Sequence, residues 1–130
     1  MKKEIIIDGT RIFDKSSLYA EINRHFMKNE SWQLGESLDA FDDLLYGGFG
    51  EIKENEEVRL IWGNFEENKK LFGFDFTLNF YDEKLKDSER FDSKGIQFKI
   101  DKLKKGEGQT YFDIILEIIA EHPNIELIIK

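Results

Sequence analysis

The stretch from Thr110 to Lys130 narrows the fold more than any other part of the chain. Ile114, Ile115, Leu116, Ile118 and Ile119 form an apolar run that His122-Pro123 cuts short, because proline has no N–H to give a helix and biases the residue before it away from helical backbone. Thr110 with Asp113 has the spacing of a capping box, so the run is a predicted helix. Ile125, Leu127, Ile128 and Ile129 follow as a strand too apolar to face water on either side. Such a strand belongs in the middle of a parallel sheet covered on both faces, and it commits the chain to an α/β architecture.

Upstream patterns agree. Ile5–Ile7 are a β-branched run that stops at the turn signal Asp8-Gly9, and Val58–Trp62 has the β-branched and aromatic character of a buried strand. Leu18, Ile22 and Phe26 recur every four residues and predict a helix to about Lys28, with Ser16 as its N-cap. Leu38, Phe41 and Leu45 predict a second helix, capped by Ser37 and ended by Gly47-Gly48. Asn64 and Glu67 have capping-box spacing for a short third helix ending near Gly73. Beyond Gly73 the period changes. Phe74, Phe76, Leu78 and Phe80 alternate with polar residues, as do Ile96, Phe98 and Ile100, which predicts an antiparallel hairpin around a charged loop from Tyr81 to Lys94.

No cysteine is present, which excludes disulfides, thiolate chemistry and sulfur-ligated zinc. Twelve Phe among 130 residues supply ample surface for one packed domain spanning 1–130. The opening MKKEIIIDG has too short an apolar run for a signal-peptide core, and no later run reaches membrane-spanning length. A soluble, cytoplasmic protein is expected.

The formal net charge is −8, a field that repels phosphate, so direct nucleic-acid binding is not expected. The acidity is concentrated: Glu36–Glu57 contains eight carboxylates and only Lys53 as a base. At about 100° per residue, Glu36, Asp39, Asp43 and Tyr46 project together, opposite the apolar stripe of the second predicted helix. Trp32, Leu34 and Tyr46 adjoin these acids as candidate anchors. Like charges crowded on a helix cost stability, and a cationic partner relieves that cost.

The run LGESLDAFDDLLYG, Leu34–Gly47, resembles the second-helix signature of the barstar family, intracellular inhibitors of a secreted bacterial ribonuclease. EIIIDGTRI, RLIW with FEENKKL, and ILEIIAEHPNIELIIK fall in the same order as in that family. The resemblance spans about Lys3–Phe72 and Thr110–Lys130, leaving an insertion at about 73–109. It implies a three-stranded parallel sheet covered by helices, here with the inserted antiparallel hairpin, and neither catalysis nor a cofactor. It implies further that the loop before the second helix (Trp32, Gln33, Leu34, Gly35, Glu36) and that helix occlude a basic ribonuclease active site. Asp39 and Asp43 match the two family aspartates, Gly35 and Gly47 the bordering glycines, and Glu117 a further acidic contact. Gln33 and Leu34 replace a pair of tyrosines, Gly48 a tryptophan and Tyr46 a small hydroxyl residue, so the acidic centre is kept while the rim that sets partner choice changes. The implied partner is a secreted or toxin-type ribonuclease, met by a free monomer away from membranes. The alternative is the same scaffold directed at another basic toxin or at a non-ribonuclease protein.

Two other chemistries are weaker. Asp39 and Asp43 as an acid/base pair lack a water-excluding pocket on a convex helix, and His25 and His122 stand beside no nucleophile motif. A calcium or magnesium site lacks the D-x-D-x-D-G loop, and two helical carboxylates give too few ligands.

Overall fold

A computed structural model describes residues 2–87 and 92–130. Three strands, β1 (Lys3–Asp8), β2 (Val58–Gly63) and β3 (Ile125–Ile129), form one parallel sheet in the order β1-β2-β3. Six helices connect them among the described residues: α1 (Lys15–Phe26), α2 (Leu38–Tyr46), α3 (Phe65–Leu71), α4 (Phe74–Leu85), α5 (Ser93–Lys104) and α6 (Tyr111–Ala120). The chain divides into two compact units, one running to Asn68 and resuming at Ile115–Lys130, the other Lys69–Ile114.

In the first unit the strand register aligns Ile5 with Leu60 and Leu127, and Ile7 with Trp62 and Ile129. Because successive strand side chains alternate in direction, Ile5, Ile7, Val58, Leu60 and Trp62 share one face, and all are buried. Leu18, Ile22 and Phe26 of α1, Phe41, Leu44 and Leu45 of α2 and Ile115 and Ile119 of α6 complete this core. The opposite face carries Glu4, Arg59 and Glu126 in one row, with Arg59 bridging both acids at 3.3 and 3.1 Å. The central strand is β2. β3, expected in the middle, is an edge strand whose only buried residue is Ile125. Its apolarity does not encode which neighbour it pairs with.

Two caps differ from expectation. Asp14, not Ser16, caps α1: its side chain accepts from Ser17 N at 2.7 Å while Ser17 Oγ accepts from Asp14 N at 2.9 Å. Asn64 does not form a capping box with Glu67; it sits at φ 57° and turns its amide toward the Gly9 carbonyl. The box at Thr110 and Asp113 forms in both directions, at 3.0 and 3.1 Å.

Gly9 marks the tightest point of this unit. Trp62 Nε1 donates to Asn68 Oδ1 at 2.8 Å and Asn68 Nδ2 donates to the Gly9 carbonyl at 3.1 Å, tying β2, α3 and the exit of β1 together. A Cβ at Gly9 would collide with the Gly63 carbonyl oxygen and the Asn68 side chain. Gly9→Ala is therefore expected to destabilise by about 1–3 kcal/mol or more, read as a lowered midpoint in urea with an unchanged slope.

The second unit corrects the predicted hairpin: its two segments are the helices α4 and α5. Phe76 and Phe80, four apart, both stack on Tyr111, at centroid distances of 5.2 and 5.0 Å. Thr77 and Tyr81 are buried at the same spacing, as are Ile96 and Ile100 on α5, with Leu103 three residues further on. Thr77 Oγ1 donates to the Gly73 carbonyl and accepts from Tyr111 N, each at 2.7 Å. Of the charged loop expected over 81–94, residues 81–85 belong to α4 and 93–94 to α5, while 88–91 lie outside the described residues.

Candidate functional site

Ser37 caps α2 as expected, its hydroxyl accepting from Ala40 N at 3.1 Å. Gly47 ends the helix at φ 86°, where a Cβ would also collide with the Lys53 carbonyl. Leu44 and Leu45 are wholly buried and Phe41 nearly so, so the helix is held by one face and offers the other. On the offered face stand Asp39, Asp43 and Tyr46, all exposed. Asp39 is in the first turn, where the helix dipole favours a carboxylate; Asp43 is not, and no basic residue occupies the last turn.

The eight acids of Glu36–Glu57 separate into two groups. Four are occupied within the molecule. Glu36 precedes the helix rather than lying on it, and accepts from Ser16 Oγ at 3.1 Å. Asp42 Oδ1 lies 2.6 Å from His122 Nε2. Glu51 pairs with Lys28 at 3.1 Å; burial pushes its carboxyl up, but Lys28 and the neighbouring donors bring it below its ordinary value. Glu56 accepts from Lys53 N at 3.0 Å. The other four, Asp39, Asp43, Glu54 and Glu57, have side chains with no hydrogen bond or ion pair to any described residue.

The segment before α2 is pinned from α1. Asn23, buried on α1, accepts from Leu34 N at 2.7 Å and donates to the Leu34 carbonyl at 3.3 Å. Leu34 is thus a buried tether, 6% exposed, and not the exposed anchor expected of it. Trp32 is 48% exposed and its ring lies 5.4 Å from that of Phe49, so aromatics from the segments before and after α2 meet. Gln33 and Gly35 are exposed, with open space around Gly35. Tyr46, 63% exposed, meets the His122 ring edge-on at 4.4 Å. Glu117 is exposed on α6, about one and a half turns before His122.

Three contributors carry no sequence signal for the role they play. Phe49 had no periodic signal in its glycine-rich connection. Asn23 sits within a helical run whose period is carried by its apolar members Leu18, Ile22 and Phe26. His122 was read as a helix-terminus residue, yet it is buried and fixes Asp42, so that the end of α6 holds α2 in place. His25 likewise is bonded, to Glu21 at 2.8 Å.

The arrangement provides two exposed carboxylates four residues apart on α2, with no side-chain partner among the described residues, and exposed Trp32 and Tyr46 before and at the end of the helix. Among the described residues, no group of three or more His, Asp or Glu is placed to hold a metal ion, and no helix is long and apolar enough to cross a membrane. No curated protein matches the chain. A protein-family model described as Barstar (barnase inhibitor) matches residues 2–102, running through α4 and most of α5 and ending before α6.

Proposed function

The chain belongs to the barstar family, and from that premise we propose that it inhibits a barnase-type ribonuclease by seating Asp39 and Asp43 of α2 in the enzyme's cationic active site. The observation that carries this reading is that these two side chains face solvent without partners, while Glu36, Asp42, Glu51 and Glu56 around them are tied to their own molecule. Carboxylates one turn apart accept charge-assisted hydrogen bonds from the Arg, Lys or His groups that otherwise hold a scissile phosphate. Occlusion is sufficient, and no chemical step is needed from the inhibitor.

Trp32, Gln33 and Gly35 before the helix, Tyr46 and Gly47 at its end, and Glu117 on α6 form the rim that selects among ribonucleases. Leu34 and Glu36 act from below it, by fixing the path of the chain into Ser37. Spread over the exit loop, Glu54 and Glu57 add to the field that draws a basic protein in.

The test is titration of the protein into a panel of barnase-type ribonucleases, following RNA cleavage. Stoichiometric inhibition of at least one enzyme is expected, and its loss in the Asp39→Asn/Asp43→Asn double variant at unchanged melting temperature. Inhibition of none, or equal inhibition by the double variant, would sink the proposal.

A further inference from the structure

We propose that β3 pairs edge to edge with β3 of a second copy of this chain, so that two sheets join in the strand order β1-β2-β3-β3-β2-β1. The motive is a mismatch between sequence and position. Ile125, Leu127, Ile128 and Ile129 have the apolarity of a central strand, yet β3 lies at an edge, with Leu127 and Ile128 only half-buried and Ile129 56% exposed. Parallel strands this apolar are as a rule covered, and joining two copies at β3 moves the strand from the rim of a sheet to its middle.

The backbone is arranged for such a join. Lys130 N donates to the Trp62 carbonyl and Val58 N to the Asn124 carbonyl, so Asn124, Glu126, Ile128 and Lys130 turn their backbone groups to β2. By the alternation of a parallel ladder, Leu127 and Ile129 turn theirs away from it. Those outward groups have no hydrogen-bond partner among the described residues, and no element other than β2 runs along β3. Ile125 N, the remaining outward donor, is taken by the His122 carbonyl at 3.0 Å.

The two edges of the sheet are treated differently. On β1 the outward groups belong to Glu4, Ile6 and Asp8, because Lys3 N donates to the Glu57 carbonyl on the β2 side. Asp8 N is occupied by Glu21 at 2.8 Å, and Lys3 and Glu4 place charges at the start of the strand, a common means of keeping an edge unpaired. β3 contains no lysine, proline or bulge. Its one charge, Glu126, is held on the outer face by Lys2 and Arg59 at 3.2 and 3.1 Å.

A second copy is the occupant because the strand is its own complement. About a two-fold axis at Leu127, antiparallel pairing sets Leu127 opposite Leu127 and Ile125 opposite Ile129 on the face that carries the core, apolar against apolar. Leu127 N and Ile129 N of each copy then donate to the Leu127 and Ile125 carbonyls of the other, and the bond from Ile125 N to His122 is kept. On the outer face Glu126 falls beside Ile128 and retains its own Arg59 and Lys2. A contact this short is weak, with an expected Kd of about 0.1 mM. Asp39 and Asp43 take no part, so the inference does not rest on the reading of α2.

Sedimentation velocity at concentrations on either side of that value, with amide hydrogen exchange followed residue by residue, tests the pairing. Monomer is expected to give way to dimer as concentration rises, and the Leu127 and Ile129 amides to exchange more slowly in step with it, while those of Ile128 and Lys130, on the β2 side, stay as they were. Ile129→Pro removes an outward donor at an exposed edge position without costing a ladder bond, and should abolish the dimer at a nearly unchanged melting temperature. Ile129→Val should retain it, and Asp39→Asn/Asp43→Asn should dimerise as wild type does. A chain that stays monomeric well above that concentration overturns the proposal. So does a dimer that survives Ile129→Pro, that dissociates in the aspartate double variant, or that leaves the Leu127 and Ile129 amides exchanging as in the monomer, because the contact then lies elsewhere. Should Ile129→Pro fail to fold, the exchange of the wild-type amides decides alone.

Discussion

Asp43→Ala is expected to weaken binding of the cognate ribonuclease by about 3–5 kcal/mol, roughly two to three and a half orders of magnitude in Kd. Asp43 has no side-chain partner among the described residues, so removing it should leave the free protein nearly unchanged and, in the proposed complex, leave a cation of the enzyme buried and unpaired. The size is that of interfacial charge pairs in general, for which barstar complexes are themselves a reference case, so it is a family magnitude and not one particular to this surface. The contrast with its neighbour makes the measurement specific. Asp42→Ala takes the partner from buried His122 and should register first in stability. Glu54→Ala should slow association and flatten its salt dependence with little effect on dissociation. Calorimetry and stopped-flow on the three variants separate these outcomes; equal affinity of Asp43→Ala and wild type would exclude the plug.

Glu21→Ala should be the most damaging single change on α1. The carboxylate is 1% exposed and is engaged by Arg24, Arg11, His25 and the Asp8 backbone N–H, the last at 2.8 Å. Breaking such a buried pair costs about 3–5 kcal/mol, and the lower end applies because both arginines are half exposed and can rehydrate. For a chain of this size that lowers the melting midpoint by about 10 °C. An acid titration gives a second reading. Burial pushes the Glu21 carboxyl up, but the Arg24 bond, the Asp8 N–H and His25 outweigh it and hold the group below its ordinary value of 4.5. A depressed pKa means stability that is present above that ordinary value and is lost as pH falls below it through the folded value. Glu21→Gln should therefore flatten the acid limb of the stability curve, and a wild-type limb that the substitution leaves unchanged would rule the linkage out.

Neither Glu21 nor Asp42 was legible as a structural carboxylate, because what distinguishes them is a partner that folding brings up. For Asp42 that partner is eighty residues away along the chain. α2 was legible because its signals are local and agree: a Ser37 cap, apolar residues three and four apart, and Gly47 where left-handed backbone is required. The parallel sheet was legible from its β-branched runs, but strand order was not, since β2 and β3 are comparably apolar and only the pairing shows which is central. α4 and α5 were misread for a definite reason. Alternate apolar residues such as Phe76, Leu78 and Phe80 contain the i,i+4 pair of a helix within them, and the burial of Thr77 and Tyr81, themselves four apart, decides for the helical period. Leu34 was misplaced because a leucine in a polar loop looks available until Asn23 is seen to grip its backbone.

The link between His122 and Asp42 bears on when, during translation, the protein becomes competent. α2 and the two aspartates leave the ribosome well before the imidazole that steadies the helix, which follows Asp42 by eighty residues, after the Lys69–Ile114 unit. Vectorial synthesis thus delivers the acidic surface first and its brace last. A nascent chain that has not yet reached His122 carries the same charges on a helix without that brace.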